Sequence, residues 1–398
     1  MVRTLDHGSR MNNRRLLVCA LGGILGGCST SADVPDVPLY VLEQDLRIGA
    51  LDGPTALGEV IDVAVGSAGE LYVVEWNEGS LAVFDAEGRP RQRIGRAGSG
   101  PGEFTMFPGG VHWTGTLLSA SDPQAGRLHL FRRDGSLDRT IAERWQPISD
   151  SIRAPRPTVL LADGSVLGFA AAARNPRDPD AELSALLVRL REGTPTLDTI
   201  ARVISPQTSL TIPRGHGVSE TVNPVSDQPL WAAAADGGSI VIVDRSAATA
   251  AAPATFAVTR VDLAGDTTLN RSYPYTPVPI DGFHTDSITD LIAHRLDHGD
   301  ELDMLRATLR DLDFLPAFFP PITRLVTGRD RTIWLRREGA EDPVLWEVID
   351  SEGAIVRRVA MPAGLTVHEA DERYVWGVSK DELEVSYVVR YRFAAAGG

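Results

Sequence analysis

Beyond its first few dozen residues the chain is a succession of short apolar runs separated by tight polar turns. The clearest stretch is VIDVAVGSAGELYVVEWNEGSLAVFDAEGRPRQRI, in which Ile61–Val65, Leu71–Val74, Leu81–Phe84 and Arg91–Ile94 read as four strands. Between them GSAGE, EWNEG and DAEGR supply the Gly, Asp and Asn residues that suit turns with φ above zero. The pattern predicts a four-stranded antiparallel meander. The next stretch, GGVHWTGTLLSASDPQAGRLHLFRRDGSLDRTI, repeats the order, with Leu128–Phe131 in the place of Leu81–Phe84.

Further units follow with more drift, opening at PTVLLADGSVLGFAAAARN, PLWAAAADGGSIVIVDR, ITRLVTGRDRTIWLRREG and LTVHEADERYVWGVSKDELEVSYVVRYRF. Four-stranded units at about 40-residue spacing mark a propeller, in which radial repetition hides most sheet edges. A β-sandwich also has many short strands, but it gives no reason for the recurring strand, turn, strand, D-x-x-G order. The expectation is an all-β fold, a six-bladed β-propeller of four-stranded antiparallel blades. Its last unit has three clear strands, and LYVLEQDLRIG near the N-terminus would supply the fourth and close the ring. The first unit with its connector, LYVVEWNEGSLAVFDAEGRPRQRIGRAGSGPGEF, resembles the repeats of NHL-type six-bladed propellers.

The segment from Tyr273 to Pro321 breaks the pattern. Ile288, Leu291, Ile292 and Leu296, then Leu302, Leu305, Leu309 and Leu312, recur at helical spacing. They predict two amphipathic helices, broken near Gly299, in an insertion over about 281–317 between blades 4 and 5. Such helices would pack over the loop face as a lid or partner surface, or would cover exposed blade edges.

The N-terminus lies outside the repeat. From Met11, MNNRRLLVCALGGILGGCST has a basic pair, Arg14 and Arg15, a short apolar run and a small-residue ending. The run is too short to span a bilayer as a mature helix and has the order of an export signal. Its Leu25-Gly26-Gly27-Cys28 ending resembles the lipobox of bacterial lipoproteins. That resemblance implies a signal peptide over 1–27, lipidation at Cys28 and a tether over 28–38; Ser29 implies an outer-membrane destination in a host with two membranes. The propeller would occupy 39–393, and 394–398 reads as a disordered tail.

With Cys19 leaving in the signal and Cys28 carrying lipid, neither cysteine remains for a disulfide, so packing must supply the stability. A net charge of −14 argues against nucleic acid, which needs a basic stripe, and against attachment to anionic lipid headgroups. Membrane contact is expected through the lipid anchor alone.

The glycines of RIGRAGSGPGEF, from Arg93 to Phe104, raise the question of a phosphate loop. A Rossmann loop needs its third glycine where Glu103 stands, and a Walker loop needs Lys where Pro101 stands. The stretch reads instead as a connector from one blade to the next, with Phe104 wedged between sheets.

In a meander the blade-to-blade connectors emerge on the same face as the second-to-third strand loops. The connectors here are long and the first-to-second strand turns are short, so function is expected on that loop face. Its candidate ligand-binding residues are Trp76, Arg96, Arg174, Arg214, His216, Arg245, Arg336 and Lys380, with Asn77, Trp145, Arg153 and Arg337 as further material. Arginines and aromatic side chains at one mouth suit an anionic group, a carboxylate or a glycan acid. Glu75, Asp122 and Asp244, with His216, are candidate ligands for Ca or Zn, although Arg336 and Lys380 at equivalent positions would repel a divalent cation. His294 and His298 are four apart, but HRLDH lacks the Glu that a zincin motif places after its first His. The sequence has no Gly-x-Ser-x-Gly elbow, no Ser/His/Asp arrangement and no mature thiol.

The leading expectation is a non-enzymatic, membrane-anchored extracytoplasmic propeller without a cofactor that binds a protein, peptide or glycan through its loop face. The alternative is a metal-assisted hydrolase or lyase of the lactonase or amidating-lyase type, with its site at the central mouth.

Overall fold

Six four-stranded antiparallel blades succeed one another along the chain; the first five run from an inner to an outer strand in sequence order, and the sixth takes its outer strand from the N-terminus. Blade 1 is built from Val60–Val65, Leu71–Glu75, Leu81–Phe84 and Pro90–Ile94, and blade 2 from Val111–Thr114, Leu117–Asp122, Arg127–Arg132 and Leu137–Ile141. Blade 3 comprises Arg156–Leu160, Val166–Ala170, Ser184–Leu190 and Leu197–Ile204; blade 4 comprises Leu230–Ala233, Ser239–Asp244, Thr255–Asp262 and Thr267–Pro274. Blade 5 takes Ile322–Thr327, Ile333–Arg337, Val344–Ile349 and Ile355–Met361, and blade 6 takes Thr366–Ala370, Tyr374–Lys380 and Ser386–Phe393. This computed structural model describes residues 37–394 apart from 77, 107, 143–144, 151, 172–183, 195–196, 205–208, 215–216, 247–252, 297–300, 313 and 340–342. Cys28, Arg174, His216, His298 and Gly299 lie outside the described residues, as do the predicted signal and most of the predicted tether and tail.

The fourth strand of blade 6 is Leu39–Ile48, paired antiparallel with Ser386–Phe393 from Leu42↔Phe393 to Ile48↔Val388. Arg390 donates to both carboxylate oxygens of Asp45, at 2.9 and 3.3 Å, and fastens the two ends of the propeller. The same strand has a second partner that its sequence does not signal. Its first residues, Leu39–Val41, run parallel to Arg358–Ala360 in the outer strand of blade 5, so one segment ties two blades together.

The D-x-x-G repeat has a simple cause. Asp85 Oδ1 accepts the backbone N–H groups of Glu87 and Arg89 at 3.1 and 2.8 Å, while Gly88 turns the chain at φ 80°. Asp262 with Gly265 and Asp350 with Gly353 repeat this geometry between the last two strands of blades 4 and 5. Each is an Asx turn whose fourth residue must adopt a left-handed conformation open to glycine.

The cores lie between blades. One cluster joins blades 1 and 2 through Tyr72, Val74, Leu81, Ile94, Leu118 and Phe131. Comparable clusters join blades 2 and 3, 3 and 4, 4 and 5, and 5 and 6. A sixth joins blade 6 back to blade 1 through Trp376, Val378, Val388, Val63 and Val73, with Ile48 of the closing strand inside it. Burial of strand faces from both neighbours is what makes four-residue strands such as LAVF wholly apolar.

A seventh cluster stands apart from the ring. The connector between blades 3 and 4 forms a hairpin, Ser209–Arg214 with Gly217–Val222. The connector between blades 4 and 5 holds helix α1, Gly282–Leu296, and helix α2, Leu302–Asp311. Asp281 Oδ1 accepts the His284 N–H at the start of α1. Ile288, Ile292 and Ala293 of α1 and Leu305 and Leu309 of α2 pack on Leu210, Ile212 and Val225. The predicted helices are present at the predicted place. One expectation of their packing fails: Leu291 remains exposed, because the hairpin covers the stripe one position further round the helix.

Candidate functional site

The connector Gly95–Gly110 shows what the glycine-rich stretch does. Gly95, Gly98 and Gly102 all have positive φ, and Glu103 folds the loop by accepting from Gly100 N at 2.8 Å and pairing with Arg96 at 2.6 Å. Phe104 is buried between blades 1 and 2, edge-on to His129. This is the wedge expected from the sequence, and Arg96 serves the loop's own fold.

The residues predicted for metal binding take up donors from the protein. Glu75, at the end of the second strand of blade 1, is buried; Oε2 accepts from Gly58 N at 2.6 Å and Oε1 from Arg93 at 2.7 Å. Asp122 occupies the matching place in blade 2 and is fully buried. Its Oδ2 accepts from Thr105 N and Oγ1 and from Arg127, and Oδ1 from Ala125 N. Burial pushes the Asp122 carboxyl up, but Arg127, Ala125 and Thr105 more than offset it and hold it below the usual range. In both blades a carboxylate pins the connector that enters its own blade. Asp244 accepts from Ser246 N and Oγ in a local turn. Among the described residues no group of three or more His, Cys, Asp or Glu side chains gathers to hold a metal ion.

The predicted anion-binding residues also divide. Arg245 is buried, with Nε on the Gln228 carbonyl at 2.6 Å and an Nη on the Ile322 carbonyl at 2.7 Å. It pins the connector before blade 4 to the first strand of blade 5, and burial pulls its guanidinium down to about 10. Lys380 pairs with Glu384 at 3.3 Å, and Trp76 stays half exposed. Arg336 is half-buried on the second strand of blade 5, and Arg337 lies over the Phe256 ring. Arg214 lies in the first hairpin strand. Trp145 is buried between blades 2 and 3, away from any surface role. His294 bonds the Asp290 carbonyl within α1.

Two features of the loop face and ring axis were not read from sequence. The first is apolar exposure. Of the ten large hydrophobic side chains left exposed among the described residues, eight belong to loop-face segments: Leu51, Trp76, Met106, Val218, Phe283, Leu291, Met304 and Leu383. The turns of the opposite face supply none of them.

The second is a cavity of about 370 Å³ on the axis, walled by the first strand of every blade. Asp62, His112, Thr158, Trp231, Arg324 and His368, one from each blade, line it. Asp62 Oδ1 accepts from Val63 N and bonds His368 Nδ1, both at 2.9 Å, and Oδ2 accepts from Val111 N at 3.0 Å. Arg324 Nε donates to the Val367 carbonyl at 2.8 Å. A smaller cavity of about 220 Å³ adjoins His112 and is lined also by Asp236, Arg329 and Glu369.

A comparison with known protein families agrees with the ring. A family model described as a 6-bladed beta-propeller matches residues 56–108, which hold blade 1 and its connector. No curated protein sequence matches the chain. Among solved structures, a catalytically inactive virginiamycin B lyase from Staphylococcus aureus with quinupristin is 9% identical, over 89% of this chain and 99% of that one, with a TM-score of 0.42. A DUF4221-family member from Bacteroides vulgatus is 10% identical over 89% and 97%, with a TM-score of 0.46. The calcium-binding protein regucalcin from Agrobacterium tumefaciens is 11% identical over 89% and 96%, with a TM-score of 0.39. Likeness this distant carries no information about activity. The class the molecule belongs to is the six-bladed β-propeller.

Proposed function

We propose that the protein is an exported, lipid-anchored propeller of the NHL type that holds a protein or peptide partner on its loop face. The observation that carries this reading is the segregation of exposed apolar side chains: among the described residues eight of ten lie on one face, spread over six connectors and loops. Apolar exposure on that scale favours association with another polypeptide over a glycan. The Leu25-Gly26-Gly27-Cys28 sequence supports the anchor, and no helix of the described residues is long and apolar enough to cross a membrane. Metal-assisted hydrolysis has less support, because Glu75 and Asp122 direct their oxygens at Arg93, Arg127 and backbone N–H groups.

Photo-crosslinking in growing cells tests the proposal. A benzophenone amino acid placed at Leu51, Phe283 or Leu383 is expected to form discrete adducts with one partner, and the same group at Glu87 or Ser351 on the opposite turns is expected to form none. Equal labelling from both faces, or adducts only from the opposite turns, would overturn the reading.

A further inference from the structure

The axial cavity contains polar groups that the fold leaves without partners. Arg324 spends only Nε on the protein; its two terminal nitrogens have no hydrogen-bond or ion-pair partner among the described residues. The His112 Nε2 is buried and unbonded. Trp231 is held by stacking on Phe169, at 5.6 Å and 17°, and its indole N–H also has no partner among the described residues. Of these, His112 Nε2 is buried, while Arg324 and Trp231 are half-buried; polar groups converging unpaired on a cavity mark a place where a guest can meet them.

The charges select the kind of guest. Among the described residues Arg324 is the only arginine or lysine lining the cavity, and burial draws its guanidinium down, so a bound anion would relieve it. Burial likewise keeps His112 below the ordinary histidine range and therefore neutral near pH 7. Among the described residues Asp62 is the only carboxylate in the lining, and Val63, Val111 and His368 engage both its oxygens, so it has little to offer an ammonium group. Its charge would nevertheless oppose a dianion. One unpaired cation, neutral donors and a fixed negative neighbour suit a monoanion. Val111, Val159, Val326 and Trp231 supply apolar wall on which a hydrocarbon body can lie.

We propose that the channel binds a small monocarboxylate, with the carboxylate on Arg324 and the apolar portion against Trp231. The site stands on different residues from the loop-face reading and survives or fails independently of it.

The test is a binding titration of the purified full chain, by calorimetry or ligand-observed NMR, with 4-phenylbutyrate, its neutral amide, phenylphosphonate and N-acetylphenylalanine. A ligand of this size is expected to saturate with a Kd of about 1 mM. The amide should bind at least about tenfold more weakly, as loss of a charge-assisted bond requires. Phenylphosphonate as a dianion should also bind more weakly. Tighter binding of N-acetylphenylalanine would identify the C-terminus of a peptide as the source of the carboxylate, and tighter binding of phenylbutyrate a free acid. Arg324→Gln should lose about tenfold and Arg324→Lys recover part of it. If Arg324→Gln does not fold, His112→Phe, which keeps an aromatic ring but removes its nitrogens and leaves the Arg324 bond to Val367 in place, should weaken the acid while leaving the amide unchanged. Equal binding of acid and amide, unaltered binding by Arg324→Gln, or no saturation by either acid would overturn the proposal.

Discussion

Replacing Glu369 by Gln should stabilise the protein at pH 8 and do much less at pH 5. Glu369 sits on the first strand of blade 6 with its side chain 15% exposed. Its Oε1 accepts from Val65 N at 3.3 Å, and Arg329 Nε stands 3.9 Å from Oε2. Burial pushes the carboxyl from 4.5 up to about 7; Arg329 and the Val65 N–H oppose the rise, and the charges of Asp62 and Asp371 add to it. The folded state therefore keeps a proton that the unfolded state gives up above about pH 4.5, so stability declines as pH rises from 4.5 toward 7 and stays low above. That interval corresponds to at most ~3 kcal/mol, and water reaching the partly exposed carboxyl reduces the expected value to about 1–2 kcal/mol. Gln keeps the shape and never ionises. In urea unfolding followed by tryptophan fluorescence, the stability of Glu369→Gln relative to wild type should be about 1–2 kcal/mol more favourable at pH 8 than at pH 5. A pH-independent difference, or a variant relatively weaker at pH 8, would refute the reasoning and make the Arg329 pair a net stabiliser.

Other consequences are as direct. Asp122→Asn should destabilise by about 3 kcal/mol in the same assay, because it leaves the largely covered Arg127 opposite a neutral group at a fully buried position. In wild type that contribution should be lost only as pH falls below the ordinary carboxylate range, since the Asp122 pKa is depressed. Ile48→Ala should lower stability by about 2–4 kcal/mol, because the side chain is 3% exposed in the core between blades 6 and 1. Chelation should leave thermal unfolding unchanged; a fall in Tm restored by Ca or Zn would return the metal reading to first place. Phe283→Ser and Leu383→Ser should alter stability by less than about 0.5 kcal/mol, as surface changes do.

The blades were legible because their signals are local. An apolar run followed by an Asp that accepts its own turn's N–H groups, with glycine three residues on, is written within ten residues, as in Asp85 and Gly88. Ring closure by LYVLEQDLRIG and the two helices were legible for the same reason. The parallel contact of Leu39–Val41 with blade 5 was not, since both its strands had already been given other neighbours. The predicted site residues were chosen for charge in loops. Glu75, Asp122 and Arg245 indeed occupy related strand ends, but the sequence does not reveal that Gly58, Thr105 and Gln228 of the entering connectors come to meet them. The axial residues are separated by some 40 to 90 positions and come together only when six first strands converge. A signal was present: in VIDVAV, VHWT, RPTVL, LWAA, ITRLVT and TVHEA the second or third residue is Asp, His, Thr, Trp, Arg and His. Aligning those strands would have gathered the cavity lining.

The central claim is that one face of the propeller is occupied in the cell. Hydrogen exchange of the chain in isolated cell envelopes, compared with the purified chain, tests it most directly. The account predicts added protection at Leu51, in the loops around Trp76 and Leu383, at the hairpin near Val218 and along α1 from Phe283, with the opposite turns at Asp85, Asp262 and Asp350 unchanged. Identical exchange in both preparations, or protection confined to those Asp turns, would contradict it.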